Sequence, residues 1–203
     1  WKAAEGIIYR QFADNTSAFL LPRGKIPDDV HFATVGVDFG GNGSAHSFTL
    51  TGFSRGLRRL YALDERYLKK QITPKELEEE FIAFVRRVPK SVPVFTAFCD
   101  SAETTLIRGL SAACVRSKIP IEIKNAEKGA VVNRVRFFQS MMAQGRFFVS
   151  ESCPALIDAL CSAVWKKSEN VTERLDDGST NIDSLDSLEY SAEPFMRDMI
   201  DLG

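Results

Sequence analysis

Four aspartates stand where an acidic side chain needs a reason. Asp38 lies inside the otherwise apolar run V-G-V-D-F, and a carboxylate there is costly to bury unless it meets a cation or hydrogen-bond donors. Asp100 follows directly on the apolar stretch P-V-F-T-A-F-C. Asp183 and Asp186 are spaced i, i+3, so a helix puts both on one face. No Lys or Arg adjoins any of the four in sequence. Hard oxygen donors of this kind suit magnesium or manganese. Two such ions about 3.5–4 Å apart activate water on one side of a phosphodiester and stabilise the leaving oxygen on the other. Each acid also has a purely structural explanation. Asp38 could close a turn through Gly40 and Gly41, Asp100 with Glu103 could cap a helix, and Asp183 could cap the last helix with Asp186 favouring its N-terminus. The metal reading accounts for all four with one architecture.

That architecture must bring distant segments together. Phe32–Phe39 reads as a buried strand, Gly40–Ser44 as a tight turn and Ser47–Phe53 as an alternating strand. Ser54-Arg55-Gly56 turns the chain into a third strand, Leu57–Asp64, which completes an antiparallel meander. Thr73-Pro74-Lys75-Glu76 is a capping box with Pro at the first helical position. Leu77, Phe81, Phe84, Val85 and Val88 follow at helical spacing, and Pro89 ends the run. Strand Pro93–Cys99, too apolar to face water, leads to a helix over Glu103–Val115. Strand Ile119–Lys124, helix Val131–Gln144, strand Arg146–Val149 and helix Pro154–Trp165 continue the alternation. Lys166–Thr180 reads as a hairpin turning at Asp177-Gly178, and its polar tip reads as an exposed loop beside the acids. Asp183–Ile200 closes the chain as one helix. Trp1–Asp29 shows no clean period and reads as an extended lead-in. The expected organisation is a lead-in over residues 1–30 and one α/β domain over 31–203, with a mixed central sheet flanked by helices. Asp100 then leaves the sheet at the strand end where ligands bind in open α/β folds.

The 203 residues carry 26 basic and 27 acidic side chains, with 44% hydrophobic residues. These are globular proportions, which exclude a disordered or histone-like chain. The longest apolar run, Val92–Cys99, is too short for a bilayer, which takes about 20 residues. No signal peptide is visible, so no secretion and no membrane partner are expected. The chain opens on Trp1 rather than Met, as expected of a fragment or processed domain. The four cysteines form no C-x-x-C pair and no zinc spacing, and read as reduced core thiols. The two histidines, His31 and His46, have no nucleophile motif beside them. Charge is uneven. Arg116–Phe148 has seven basic and two acidic residues, net +5, whereas Val149–Gly203 has four basic and twelve acidic, net −8. A face for an anionic polymer beside a carboxylate-rich region would follow, with Lys124, Lys128 and Arg134 as candidate phosphate contacts.

The strand V-G-V-D-F-G, the strand end C-D-S-A-E and the final helix D-S-L-D-S-L-E-Y resemble the nuclease domain of the large terminase subunit of tailed bacteriophages. The lead-in E-G-I-I-Y-R-Q-F over Glu5–Phe12 is similar to the segment that follows that family's packaging ATPase domain. The resemblance implies a ribonuclease H-like fold, and it implies that Asp38, Asp100 and Asp186 are the catalytic metal-binding acids. It further implies two Mg2+ or Mn2+ ions and a DNA endonuclease that cuts concatemeric double-stranded viral DNA with little sequence preference. Expected partners are double-stranded DNA, the packaging ATPase domain, the small terminase subunit and the portal, in the cytoplasm of a bacterial host. One departure stands out. Many members carry His three residues before the last acid, in an H-x-x-D-A pattern, and Asp183 holds that place here as a candidate fourth metal ligand. The chain has no G-x-x-x-x-G-K-[ST] loop. Other readings are a resolvase-type ribonuclease H-like nuclease and a non-catalytic DNA-binding or docking domain. An actin-like phosphotransferase, suggested by D-F-G-G-N-G, would need a second lobe.

Overall fold

The computed structural model describes residues 6–41, 44–166, 173–176 and 181–201. In chain order these form α1 (Arg10–Asp14), β1 (Leu20–Leu21), β2 (Val30–Asp38), β3 (His46–Ser54) and β4 (Leu60–Leu68). Then come α2 (Pro74–Arg86), β5 (Val94–Cys99), α3 (Thr104–Arg116), β6 (Glu122–Asn125) and α4 (Val131–Ala143). The chain continues with β7 (Phe147–Ser150), α5 (Pro154–Ser162), α6 (Asp183–Ala192) and α7 (Met196–Ile200). The strands make one mixed sheet in the order β1-β7-β4-β3-β2-β5-β6. β2, β3 and β4 are the antiparallel meander. β5 lies parallel to β2, β6 to β5, β7 to β4 and β1 to β7.

The period-2 alternation of β2 sorts its side chains between the two faces. Ala33, Val35 and Val37 enter one core with Phe48 and Leu50 of β3 and with Leu77, Phe81, Phe84 and Leu110 of α2 and α3. Thr34, Gly36 and Asp38 take the opposite face, where α6 lies. Leu185 and Leu188 of α6 join the second core with Phe53, Leu60, Val135, Phe138, Leu156 and Phe147.

α6 lies unusually close to the sheet because small residues face each other there. A Cβ on Gly36 would stand 1.6 Å from the Ser187 carbonyl oxygen, so only glycine fits. The Ser187 hydroxyl shares hydrogen bonds with Ser47 (2.9 Å) and Thr49 (2.7 Å). Thr34 donates to the Ser191 carbonyl at 2.8 Å, and Thr51 pairs with the Ser191 hydroxyl. Every one of these groups is buried and partnered, which buried polar groups require.

The described residues depart from the sequence expectations in several places: the third strand runs over Leu60–Leu68 rather than Leu57–Asp64, the helix from Pro154 ends at Ser162 rather than Trp165, and four further departures bear on the site. The lead-in is not extended linker: α1 lies in it, and Ile8, Tyr9, Phe12 and Phe19 are buried in the second core. Five helical residues are too few to show a period in sequence. β5 is not apolar-buried throughout, because Phe95 is 64% exposed and only Ala97–Cys99 are fully covered. The last helix breaks after Ala192, where a 3-10 turn over Glu193–Phe195 with Pro194 in it precedes α7; proline lacks the N–H that a continuous helix would use. The hairpin pairs Trp165 with Arg174, with Lys166 N–H on the Glu173 carbonyl and Leu175 N–H on Val164. That register is not centred on Asp177-Gly178, and the expected turn at those two residues lies outside the described ones.

Candidate functional site

β2 and β5 run parallel with Val37 opposite Cys99, and the Asp100 N–H donates to the Val37 carbonyl at 3.0 Å. Asp38 and Asp100 therefore leave neighbouring strands side by side at the same sheet end. α6 crosses the adjoining face and carries Asp183 and Asp186 in its first turn. All four aspartates line one open cleft of about 450 Å³, together with Ser44, Lys128, Arg134, Arg174 and Tyr190. Burial raises the Asp38 carboxyl well above the ordinary range, and the charges of Asp186, Asp183 and Asp100 raise it further, with only Lys128 opposing. Asp183 is also pushed up, first by burial and then by Asp186, while the Ala45 N–H that it accepts pulls it back. That bond is 3.0 Å long and ties the turn after β2 to α6. A larger groove between α2 and α3, lined by Glu78, Glu79, Arg86 and Arg116, gathers no such set of like charges.

Of the structural alternatives, the one met is the placement of Asp186 in the first turn of α6, where the helix N-terminus favours a carboxylate. Asp183 is the first residue of α6 rather than its cap; the Ser184 N–H is met by the Asn181 side chain at 3.3 Å. Asp100 accepts the Ala102 N–H at 2.9 Å, but α3 begins at Thr104 without a side-chain cap. Asp38 accepts no hydrogen bond among the described residues.

Two of the acids carry cations from far along the chain. Lys128 Nζ stands 2.7 Å from Asp100 Oδ1. Its backbone sits at φ 53°, and Glu193 fixes that turn by accepting the Lys128 and Gly129 N–H groups at 3.0 and 2.7 Å. Arg174 donates to Asp186 Oδ1 and grips Glu189 with two bonds of 2.7 and 3.0 Å. Glu189 is completely buried and also accepts from the Tyr9 hydroxyl at 3.3 Å. Burial works against the Arg174 charge, but Glu189 and then Asp186 overcome it and push the guanidinium above its ordinary value. Arg174, Glu189, Glu193 and Tyr9 were not singled out from sequence. The one available signal was Glu189, a charged residue on the apolar face of a helix otherwise flanked by leucine and alanine.

The three basic candidates separate. Lys128 lines the cleft. Arg134 also reaches it but is not on the outer surface: it is 5% exposed, with Nε 3.2 Å from Glu189 Oε2 and its guanidinium 5.5 Å from the Tyr190 ring centre. Its Nε and Nη1 make no hydrogen bond among the described residues. Lys124 is on β6, at the end of the sheet, paired with Glu122 at 3.0 Å, and does not line the cleft.

The donor set fits a divalent cation: aspartate oxygens, a buried carboxylate raised by three like charges, and an open approach. As they stand, however, no three His, Cys, Asp or Glu side chains among the described residues form a ready ligand group. Asp100 faces Lys128, and Asp186 faces Arg174.

No protein-family model and no curated protein matches the sequence. Solved structures do match in shape. The large terminase of a thermophilic bacteriophage aligns over 95% of this chain, with a TM-score of 0.73 and 20% identity. The chain spans 45% of that protein, just under half its length. The P22 large terminase nuclease domain aligns over 99% of both chains, with a TM-score of 0.69 and 16% identity. The nuclease domain of the bacteriophage SPP1 large terminase, solved with bound Mn, aligns over 86% of this chain and 96% of its own, with a TM-score of 0.59 and 18% identity. A large terminase nuclease from another thermophilic phage, solved with bound magnesium, covers 94% of this chain and 98% of its own at a TM-score of 0.62 and 12% identity. The mixed sheet, the meander and the closing helix thus have the ribonuclease H-like fold of large terminase nuclease domains.

Proposed function

We propose that this chain is the metal-dependent endonuclease domain of a phage DNA-packaging terminase, cutting double-stranded DNA by phosphodiester hydrolysis with little sequence preference. One observation carries the reading: four carboxylates from β2, the end of β5 and α6 converge on one cleft, and the most buried of them, Asp38, has no anchoring donor among the described residues. Burying like charges together is costly without a cation. Asp38, Asp100 and Asp186 would hold divalent Mg2+ or Mn2+, two ions in all, with Asp183 as an added ligand. When bound, such ions supply Lewis-acid activation of water and charge stabilisation at the scissile phosphate.

The protein's own residues do the positioning. Gly36 and the serines of α6 hold Asp186 against Asp38. Glu193 fixes the backbone at 128–129, so the Lys128 amine stays at the cleft, where it can meet a phosphate oxygen once it leaves Asp100. The Tyr190 phenol, kept protonated by burial and by Asp186, Asp38 and Asp100, forms an uncharged wall. Arg174 and Arg134 supply positive charge behind Asp186. By likeness to large terminases, the partners would be concatemeric viral DNA, the ATPase part of the same polypeptide, the small subunit and the portal, acting in the host cytoplasm. Among the described residues no helix is long and apolar enough to cross a membrane.

The test is incubation of supercoiled plasmid with Mg2+, Mn2+ or EDTA. Nicking that needs the metal and disappears in Asp38→Asn supports the reading. No metal-dependent nicking at high protein concentration, with DNA binding retained, would favour a non-catalytic DNA-binding or docking domain instead.

A further inference from the structure

Beside the acidic cleft lies a second groove of about 450 Å³, and the two share Ser44 as a common wall. Its charged lining is Lys69 and Lys70, with no carboxylate among its lining residues. Ser44, His46, Gln71 and Thr73 supply its uncharged polar side chains, and Gly40 and Gly41 its backbone. Both lysines are exposed and make no ion pair within 4 Å among the described residues. Glu76, in the first turn of α2, accepts from the Thr73 N–H and hydroxyl at 2.7 and 2.9 Å; Lys70 is near enough to it and to Glu80 to favour their charged forms but makes no close ion pair with either. Lys69 is near enough to Asp183 to favour its charged form, which places the groove's positive charge next to the acids.

His46 gives the groove a directed donor. The side chain is 9% exposed, and its Nδ1 accepts the Gly40 N–H at 3.2 Å. A ring nitrogen that accepts carries no proton, and burial disfavours the doubly protonated ring. The proton therefore sits on Nε2, which makes no hydrogen bond among the described residues. A nine-tenths-buried histidine with a spare N–H, flanked by two unpaired lysines, suits an oxyanion.

We infer that this groove binds the DNA backbone phosphates next to the scissile one, with Lys69 and Lys70 as the charge contacts and the His46 Nε2–H as a neutral donor. The inference rests on the nuclease reading for the identity of the polymer, and it assigns a strand path: from the acids, past Ser44, along the loop between β4 and α2. It places the principal phosphate contacts outside the basic segment 116–148.

The test uses anisotropy of a fluorescein-labelled duplex of about 30 base pairs, without divalent metal, at several NaCl concentrations. Each phosphate contact adds about 0.9 to the slope of log affinity against log salt. The variant Lys69→Gln/Lys70→Gln is expected to lower that slope by about 1.8 and to weaken binding roughly 60-fold at ~0.1 M salt. Lys90→Gln, at the opposite end of β5 from Asp100, should leave both unchanged. His46→Phe keeps the buried bulk and removes the donor; several-fold weaker binding at an unchanged slope is expected. The lysine variant is on the surface and keeps the test meaningful should His46→Phe fold poorly. If the lysine variant binds with wild-type affinity and slope, the groove assignment is wrong, whether or not plasmid is nicked. If wild type shows no salt-dependent binding at all, it is equally wrong. Wild-type binding lost in the lysine variant, but with no metal-dependent nicking by either protein, would uphold the groove and overturn the catalytic reading.

Discussion

Gly36→Ala is a one-methyl change that tests how the site is built. The added Cβ would meet the Ser187 carbonyl oxygen at 1.6 Å and the Ser191 nitrogen at 3.0 Å. Both are backbone atoms, so no side-chain rotation relieves the clash, and α6 must move off the sheet by roughly 1.5–2 Å. Overpacking of this kind costs about 1–3 kcal/mol. The same movement strains the buried bonds from Thr34, Ser47, Thr49 and Thr51 to Ser187 and Ser191, each contributing about 1 kcal/mol. Against this, replacing glycine stiffens the unfolded chain and returns about 0.4–1 kcal/mol. With about half of that hydrogen-bond contribution lost, a net loss of about 2–5 kcal/mol follows, which for a chain of this size lowers the melting temperature by about 10 °C. Metal-dependent nicking should fall by about 100-fold even well below that melting temperature, because a misplacement of about 1 Å is enough to do so. Gly41→Ala is the stability control: no described residue lies within 4 Å of its Cβ, and the melting temperature should stay at wild type. Calorimetry and plasmid nicking on the two variants decide the matter. A Gly36→Ala protein that melts within about 2 °C of wild type, an interval at the edge of a 1 kcal/mol effect, would refute the close-packing argument.

Three further outcomes follow from the geometry. Asp38→Asn and Asp100→Asn should each abolish nicking, and without metal Asp38→Asn should melt no lower than wild type because it removes a charge that three others oppose; a marked drop in melting temperature would show a structural role. Asp183→Ala loses the acceptor of the Ala45 N–H, for about 1 kcal/mol, and should shift the manganese dependence of nicking to higher concentration; superimposable metal titrations would remove Asp183 from the site. Glu65 is buried against α5, accepting the Ala155 and Leu156 N–H groups at 2.6 and 3.0 Å, and burial pushes its carboxyl from 4.5 to about 7. Its folded form holds the proton more tightly than its unfolded form, so the stabilisation is complete below about pH 4.5 and is lost as pH rises to about 7, about 3 kcal/mol in all. Urea denaturation across that range should show the decline, and Glu65→Gln should flatten it; equal slopes in both proteins would exclude Glu65 as the source.

The four acids, and Lys128 as a basic residue, stood out in sequence, but the pairing of Lys128 with Asp100 and of Arg174 with Asp186 did not, and the reason is physical. A carboxylate in V-G-V-D-F conflicts with its own neighbours, so Asp38 announces itself locally. The meander, the capping box at Thr73 and the strand ending at Cys99 were legible for the same reason, since turn chemistry and periodicity are written over a few residues. Lys128 and Arg174 sit in polar surroundings where a basic residue conflicts with nothing. They become informative only when the fold brings Lys128 to Asp100 and Arg174 to Asp186. Tyr9 is the extreme case: its partner Glu189 is 180 positions away, and its five-residue helix is too short to carry a period. The close seat of α6 was half legible. Ser184, Ser187 and Ser191 recur at helical spacing, but the residue that admits Ser187 and Ser191 is Gly36, between Val35 and Val37, which read as ordinary core. The arrangement therefore depends on a complementarity between two segments, small against small, that neither segment reveals alone. That complementarity sets the position of Asp186 relative to Asp38, which is why a methyl group on β2 tests the site as directly as removal of an aspartate.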